Sequence, residues 1–322
     1  MSSIWLTGAD GFVGGWLRSA LEQQGKSWTA LGLVSPGESK FGSFAELDLA
    51  AWAKGPPEDS VAAWDSLPEP EGLVHLAALS APPACEANPE LAQAINVDGP
   101  RHMYEEFLKR WPECPIVHVS SGHVYRPAAE PLSEEEELQP INVYGATKLD
   151  GEAMAMEFRA KGHRITVVRP FNHTGAGQLP AFALPSFAMR LAGLEVNGGG
   201  TLAVGRLDAV RDFLHVRDVV KTYLALLEHA GKVDLLNICS GKGVVIGELL
   251  DSLVTRFQGD IVVQQEEARL RGAADANVLV GNNQRLKDLL GYAPTLDVDA
   301  LLDELAADAR ARVAAGESLE QA

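Results

Sequence analysis

The sequence predicts an α/β fold, a doubly wound parallel sheet with helices on both faces, followed by a smaller C-terminal α/β lobe. Three observations carry this expectation. Short apolar runs alternate with stretches of helical period. The runs are continuous rather than alternating, as strands buried on both faces require. A glycine-rich turn joins the first run to the first helical stretch.

Taken in order, residues 3–7, 28–33, 72–76, 116–120 and 164–169 are expected as buried strands. Helical patterns lie between them at 13–24, 89–110 and 142–160. The Pro-rich stretch 55–70 reads as a surface connection with room for a short helix. Beyond about residue 172 the texture changes, with frequent Gly and Pro ("NHTGAGQLP", "NGGGT") and a looser alternation. The first unit is therefore set at 1–171 and the second at 172–322. Within the second, about 208–240 returns to the first, since "LLNICS" reads as another buried strand. The stretch 298–314 is expected as a surface helix.

Composition narrows the function. With 322 residues the chain buries enough surface to fold without staples. Lys plus Arg is 27 and Asp plus Glu is 44, so the net charge is −17. Such a surface repels polyanions, which argues against nucleic acid and against anionic membranes as partners. Cys85, Cys114 and Cys239 are scattered, with neither metal-ligand nor redox-pair spacing, and read as reduced residues. The N-terminus lacks a basic segment before its apolar run, and no run is long enough to span a bilayer. The expectation is a cytoplasmic chain that uses no metal.

The first motif is "TGADGFVG", residues 7–14. It follows a strand and opens a helix, which is the setting a dinucleotide fingerprint requires. Glycines at 8, 11 and 14 allow a tight turn and close backbone approach to a pyrophosphate, whose charge the helix N-terminus stabilises. Asp48, in "ELDLA", is either an acceptor for an adenine amine or an exposed loop acid. The second strand ends in "LGLVS" without an acid for the ribose 2′-hydroxyl, which tilts the cofactor from NAD(H) toward NADP(H) and leaves both open. Small residues in "LVHLAALS", among them Ala77 and Ala78 after Leu76, either admit a flat cofactor or simply pack.

The second motif is "VYGATK". Tyr144 and Lys148 are four residues apart and share one helix face. A Lys ammonium beside a phenol lowers its pKa and suits it to proton transfer.

These motifs, together with "NVDG" at 96–99, "SSGHVY" and "RPFNHTGAGQ", occur in an order and spacing that resemble the extended short-chain dehydrogenase/reductases acting on nucleotide sugars. The resemblance covers nearly the whole chain and implies a Rossmann-type fold. It implies Ser121, Tyr144 and Lys148 as the catalytic set, with Asn96 positioning the lysine through water. It places the cofactor on Gly8, Gly11, Phe12, Val13, Asp48 and Leu49, then on Leu76, Ala77, Ala78, Tyr144, Lys148, Pro170 and Phe171. The nucleotide sugar falls to Ser80, Ser121, Gly122, His123, Asn172, Arg211, Arg271 and Asp275. A homodimer packed through the helices at 96–110 and 142–160 is implied as well.

Within that family, dehydratases carry an acidic pair after the catalytic hydroxyl residue, and here those positions are Gly122 and His123. Dehydration is therefore disfavoured. "RPFNHTGAGQ", "SSGHVY" and "AVRDFLHVRDVV" resemble the reductases of GDP-4-keto-6-deoxy-D-mannose, which form GDP-D-rhamnose. The chain departs from them at Ala176, at His123 and in "LRGAADAN", which lacks their Arg-Pro-x-Glu run. A sugar 4-epimerase with tightly bound NAD is the alternative, and a non-catalytic dinucleotide sensor is a third reading. Arg211 either contacts the diphosphate or pairs with Asp208 or Asp212. His173 either touches the nicotinamide or sugar or is a structural hydrogen-bonder. "SEEEE", residues 133–137, reads as a solvated flap edge.

Overall fold

The computed structural model describes residues 2–266 and 278–317. Six strands come first: β1 (Ser2–Thr7), β2 (Trp28–Gly32), β3 (Gly42–Glu46), β4 (Glu69–His75), β5 (Ile116–Val119) and β6 (Ile165–Pro170). Between them lie α1 (Phe12–Gln23), α2 (Leu49–Trp52), α3 (Pro82–Ala87), α4 (Pro89–Gln93), α5 (Gly99–Arg110) and α6 (Val143–Ala160). Next follow β7 (Asn172–Thr174), α7 (Ala183–Val196), β8 (Gly199–Val204), β9 (Val210–His215) and α8 (Val216–His229). The chain then re-enters the first sheet as β10 (Leu235–Ile238), parallel to β6. The sheet order is β10-β6-β5-β4-β1-β2-β3, and every pairing in it is parallel. Strand order reverses between β1 and β4, the switch point at which such sheets bind ligands.

Each face of the sheet has its own core. On one, Leu6, Val74 and Val117 pack with Leu17 and Leu21 of α1 and with Val219 and Leu226 of α8. On the other, Trp5, Trp52, Trp64, Phe107 and Phe158 cluster, with Trp5 edge-on to Trp64 at 5.8 Å. Burial of each such side chain contributes roughly 1.5–3 kcal/mol. A separate core joins α7, α9 (Ile246–Val254) and α11 (Val298–Ala314), under the parallel pair β8 and β12 (Asp260–Gln265). Strands β7, β11 (Gly243–Val245) and β13 (Val278–Leu279) all pair with β9, and α10 (Gln284–Leu290) follows.

Several elements differ from the expectation. The connection at 55–70 is not merely superficial: a 3₁₀ turn, Ala62–Ser66, buries Trp64 in stacking contact with Trp52 at 5.5 Å. The helix expected at 89–110 is interrupted by a π turn, Ala94–Asp98. Its cause is local. Gly99 is pressed on α2, where a Cβ would lie 2.1 Å from the Leu49 carbonyl oxygen, and the Asn96 side chain is tied to Leu79. The helix α11 buries Leu301, Leu302, Leu305 and Ala309 and is a core element. In the acidic run, Glu134 is buried and accepts a hydrogen bond from the Asn237 amide at 2.7 Å, so it is an internal anchor. Among the described residues no helix is long and apolar enough to cross a membrane, and no cluster of His, Cys, Asp and Glu could hold a metal.

Candidate active site

The turn after β1 is shaped by contacts that exclude side chains. Gly8 has φ +66°, and a Cβ there would lie 2.9 Å from the Ala77 nitrogen. At Gly14 a Cβ would meet the Gly8 carbonyl oxygen at 2.2 Å. The Thr7 hydroxyl accepts from the Leu76 and Ala77 amides, both at 3.0 Å, and its own proton goes to His75 Nδ1 at 2.8 Å. The ends of β1 and β4 are thereby joined, with Gly8, Ala77 and Ala78 around the switch point. Helix α1 begins at Gly11 with no side-chain cap and no acid in its first turn, so the amides around Phe12 and Val13 have no carboxylate competing for them. This cradle fits a dinucleotide pyrophosphate.

His75 is held to a pKa of about 3, chiefly by burial and secondarily by the charge of Lys148. Because the folded value lies below the ordinary one, the unfolded chain binds the proton first as pH falls below about 6.5, and stability is lost from there toward pH 3. Buried His118 acts in the same direction. His75→Asn, which keeps an acceptor for Thr7, is expected to melt with a weaker acid dependence than wild type between pH 6.5 and 4, by up to about 1.4 kcal/mol per pH unit. Thermal melts across that range check it.

Other residues assigned to the cofactor divide. Asp48 caps α2, its Oδ1 accepting from Ala50 at 2.9 Å and Ala51 at 3.2 Å. Leu49 is buried in the sheet's second core. Pro170 closes β6, and the ring of buried Phe171 sits against Gly122, 3.3 Å from where a Cβ would be.

Beyond β5, Ser121 caps a short 3₁₀ turn, accepting from the His123 amide at 3.2 Å, and its hydroxyl is near enough to the Tyr144 phenol to favour the phenolate. Helix α6 is seated on that turn. A Cβ on Gly145 would lie 2.3 Å from the His123 carbonyl oxygen, and Asn142 caps the helix through the Gly145 amide at 2.8 Å. One turn on, Lys148 is buried and its ammonium donates to the Val119 carbonyl. Burial lowers its pKa to about 8, opposed by Glu152. The phenol of Tyr144 is raised rather than lowered, because burial outweighs the favourable effect of the Ser121 hydroxyl. The pKa lowering inferred from spacing alone is therefore corrected.

Asn96 bonds directly to protein groups. Its Nδ2 donates to Thr147 Oγ1 at 2.9 Å and to the Leu79 carbonyl at 3.2 Å, while Oδ1 accepts from the Leu79 amide at 2.8 Å. Thr147 lies between Tyr144 and Lys148 and donates to the Tyr144 carbonyl at 3.0 Å. The π turn thus fixes the part of α6 that carries both side chains.

On the other side of Tyr144 the ring of His123 makes an edge contact, with centroids 5.6 Å apart. Burial and the neighbouring charge of Arg211 hold this imidazole at about 4, so it is neutral at pH 7. The charge of Arg211 is thus felt at the Ser121 turn. Asp208 pairs with Arg206 at 2.6 Å, and Asp212 accepts from Ser240, Gly241 and Gly281. Asn172 opens β7, and His173 bonds the Phe171 carbonyl at 2.9 Å, a structural contact. Ser80 is exposed beyond β4. Arg271 and Asp275 lie outside the described residues.

Sequence reasoning missed the buried groups behind this site, Glu152, Arg169 and Tyr125. Glu152 carried a signal, since it stands one helical turn beyond Lys148 on the same face.

A glycine cradle at the switch point of a parallel sheet, together with a neighbouring serine and tyrosine and a buried lysine, defines an NAD(P)-dependent oxidoreductase. The model of the NAD dependent epimerase/dehydratase family matches residues 4–239. The chain belongs to that family. It is 32% identical to the GDP-6-deoxy-D-mannose reductase of Pseudomonas aeruginosa, over 96% of this chain and 98% of that one. A GDP-6-deoxy-D-talose 4-dehydrogenase of Aggregatibacter actinomycetemcomitans is 28% identical over 74% of this chain and 79% of its own. A UDP-glucose 4-epimerase of Rhizobium meliloti is 24% identical over 94% and 95%. Among solved structures, RMD from Pseudomonas aeruginosa complexed with NADPH superposes with a TM-score of 0.80 at 30% identity, covering 97% of this chain and 100% of that one.

Proposed function

We propose that this protein reduces the 4-keto group of a nucleotide-linked 4-keto-6-deoxy sugar, with GDP-4-keto-6-deoxy-D-mannose as substrate and GDP-D-rhamnose as product. Reduction of a carbonyl requires a hydride at carbon and a proton at oxygen. NAD(P)H held on the glycine turn at Gly8, Gly11 and Gly14 would supply the hydride. Tyr144 gives its proton to the sugar O4, and Ser121 donates a hydrogen bond to the same oxygen, favouring the charge that develops there. Lys148, with a pKa of about 8, is largely protonated at pH 7 and holds positive charge beside the site. Arg211 faces the diphosphate, a pairing suited to a guanidinium.

The observation that carries the reading is the chemistry of the Ser121 turn. Its next two positions are a glycine and an uncharged, half-buried imidazole, so it offers one proton donor for a carbonyl and no carboxylate pair for eliminating water. The similarity to a GDP-6-deoxy-D-mannose reductase over almost the full length supports the choice of sugar.

The second reading, a 4-epimerase, is favoured by the similarity to a UDP-glucose 4-epimerase over 94% of this chain. An epimerase recycles its cofactor, whereas a reductase consumes it. Quantifying the nucleotide released from purified protein, alongside turnover of added NADH and NADPH, separates the two. Stoichiometric NAD with no net oxidation of added cofactor would overturn the reductase reading.

A further inference from the structure

We propose that Glu152 and Arg169 are positioning residues that hold the Ser121 turn in register with Tyr144; the inference rests on the proton-transfer role proposed for Tyr144. Glu152 stands on α6, two turns beyond Tyr144, and is 5% exposed. Its Oε1 accepts from Ser120 Oγ at 2.5 Å and from Arg169 Nε at 2.9 Å, while Oε2 accepts from Arg169 Nη2 at 2.7 Å. Arg169, on β6 and 2% exposed, has a further donor. Its Nη1 bonds the Tyr125 hydroxyl at 2.7 Å, with the guanidinium 4.8 Å over that ring. Tyr125 in turn donates to Asn237 Oδ1 on β10 at 2.8 Å.

Ser120 and Tyr125 bracket the turn that carries Ser121, Gly122 and His123. Both ends of the turn are thus tied, through one carboxylate and one guanidinium, to the helix that presents Tyr144. The chain of bonds is buried throughout, so water has no ready access to replace a missing link. A buried ion pair is weak evidence of net stabilisation, since well-packed apolar residues often do as well. Geometry is what this pair secures. A misplacement of about 1 Å between reacting groups lowers rates on the order of 100-fold. The carboxylate of Glu152 also opposes the lowering of the Lys148 pKa by burial, an additional link between the pair and the site.

The test removes the tethers and leaves the ion pair intact, using a Ser120→Ala, Tyr125→Phe double variant. Two readouts are taken on folded protein. The first is the ¹³Cζ chemical shift of Tyr144 at pH 7 in tyrosine-labelled protein, assigned by its loss in Tyr144→Phe among the five tyrosines. It needs no substrate, so it stands even if the reductase reading fails. The signal of the double variant is expected to move toward that of Ser121→Ala, in which the neighbouring hydroxyl is absent. The second is the split between kcat and KM with the proposed substrate. A kcat lower by about tenfold or more with the cofactor KM unchanged is expected. Glu152→Gln should act in the same direction, with partial rescue in Glu152→Asp. If the double variant shows the wild-type Tyr144 shift and wild-type kcat while its melting temperature falls, the pair is purely structural and the proposal is wrong. If Glu152→Gln fails to fold, the double variant still decides.

Discussion

Tyr144→Phe is expected to lower turnover by roughly 10²–10⁴-fold, the range over which a positioned general acid acts. Phenylalanine keeps the ring that meets His123 edge-on, so the packing of the turn survives. What it loses is the hydroxyl beside Ser121, the proposed source of the proton for the sugar oxygen. Cofactor affinity should stay within about twofold, because the glycine cradle is untouched; titration of NADPH fluorescence in both proteins checks this. Ser121→Ala should be milder, since it removes a hydrogen-bond donor and leaves the proton source in place. A Tyr144→Phe enzyme with wild-type turnover would remove Tyr144 from the mechanism.

The second large effect is expected at Gly14. An alanine Cβ there would stand 2.2 Å from the Gly8 carbonyl oxygen and 2.7 Å from the Ala9 Cα, both backbone atoms with no rotamer to yield. Either α1 or the turn must move. Overpacking of this kind costs about 1–3 kcal/mol or more. The same displacement shifts the amides that face the pyrophosphate, so cofactor affinity should fall roughly 10- to 100-fold. Gly15→Ala provides the control one residue on. Its Cβ meets nothing within 4 Å, and the change should be neutral or stabilising by about 0.5–1 kcal/mol, as for a helix-interior glycine with open space at its Cβ. Melting curves and calorimetric titration with NADPH on the two variants make the comparison. Equal behaviour of the pair would show that the close approach at Gly14 does not matter.

The doubly wound sheet was legible because strands buried on both faces are continuous apolar runs, and five of its seven strands stand out that way. The returning strand β10 was also visible, as "LLNI". What escaped was set by contacts distant in sequence. The π turn at Asn96 leaves the helical pattern of 89–110 unchanged, because it is imposed by the Leu79 backbone and the close approach of Gly99 to Leu49. Glu134 sits in an acidic run that reads as solvated, and only the fold brings the Asn237 amide to it from 103 residues away. Trp64 lies in a Pro-rich connection whose composition conceals a buried aromatic.

The site shows the same division. The glycine turn and the Tyr144–Lys148 spacing are local patterns, and the chain displays both openly. The raised phenol is not local. Spacing places an ammonium on the same helix face, but burial decides the outcome. Glu152 was visible as a helix neighbour of Lys148, while its partners Ser120 and Arg169 come from two different strand ends that only the sheet brings together.

The most direct measurement is oxidation of NADPH and NADH, in parallel, with GDP-4-keto-6-deoxy-D-mannose. Loss of reduced-cofactor absorbance with the wild-type protein, its disappearance in Tyr144→Phe, and GDP-D-rhamnose as the product are the predicted result. No oxidation with either cofactor, from protein that carries bound NAD and interconverts UDP- or GDP-hexoses, would contradict the reductase account.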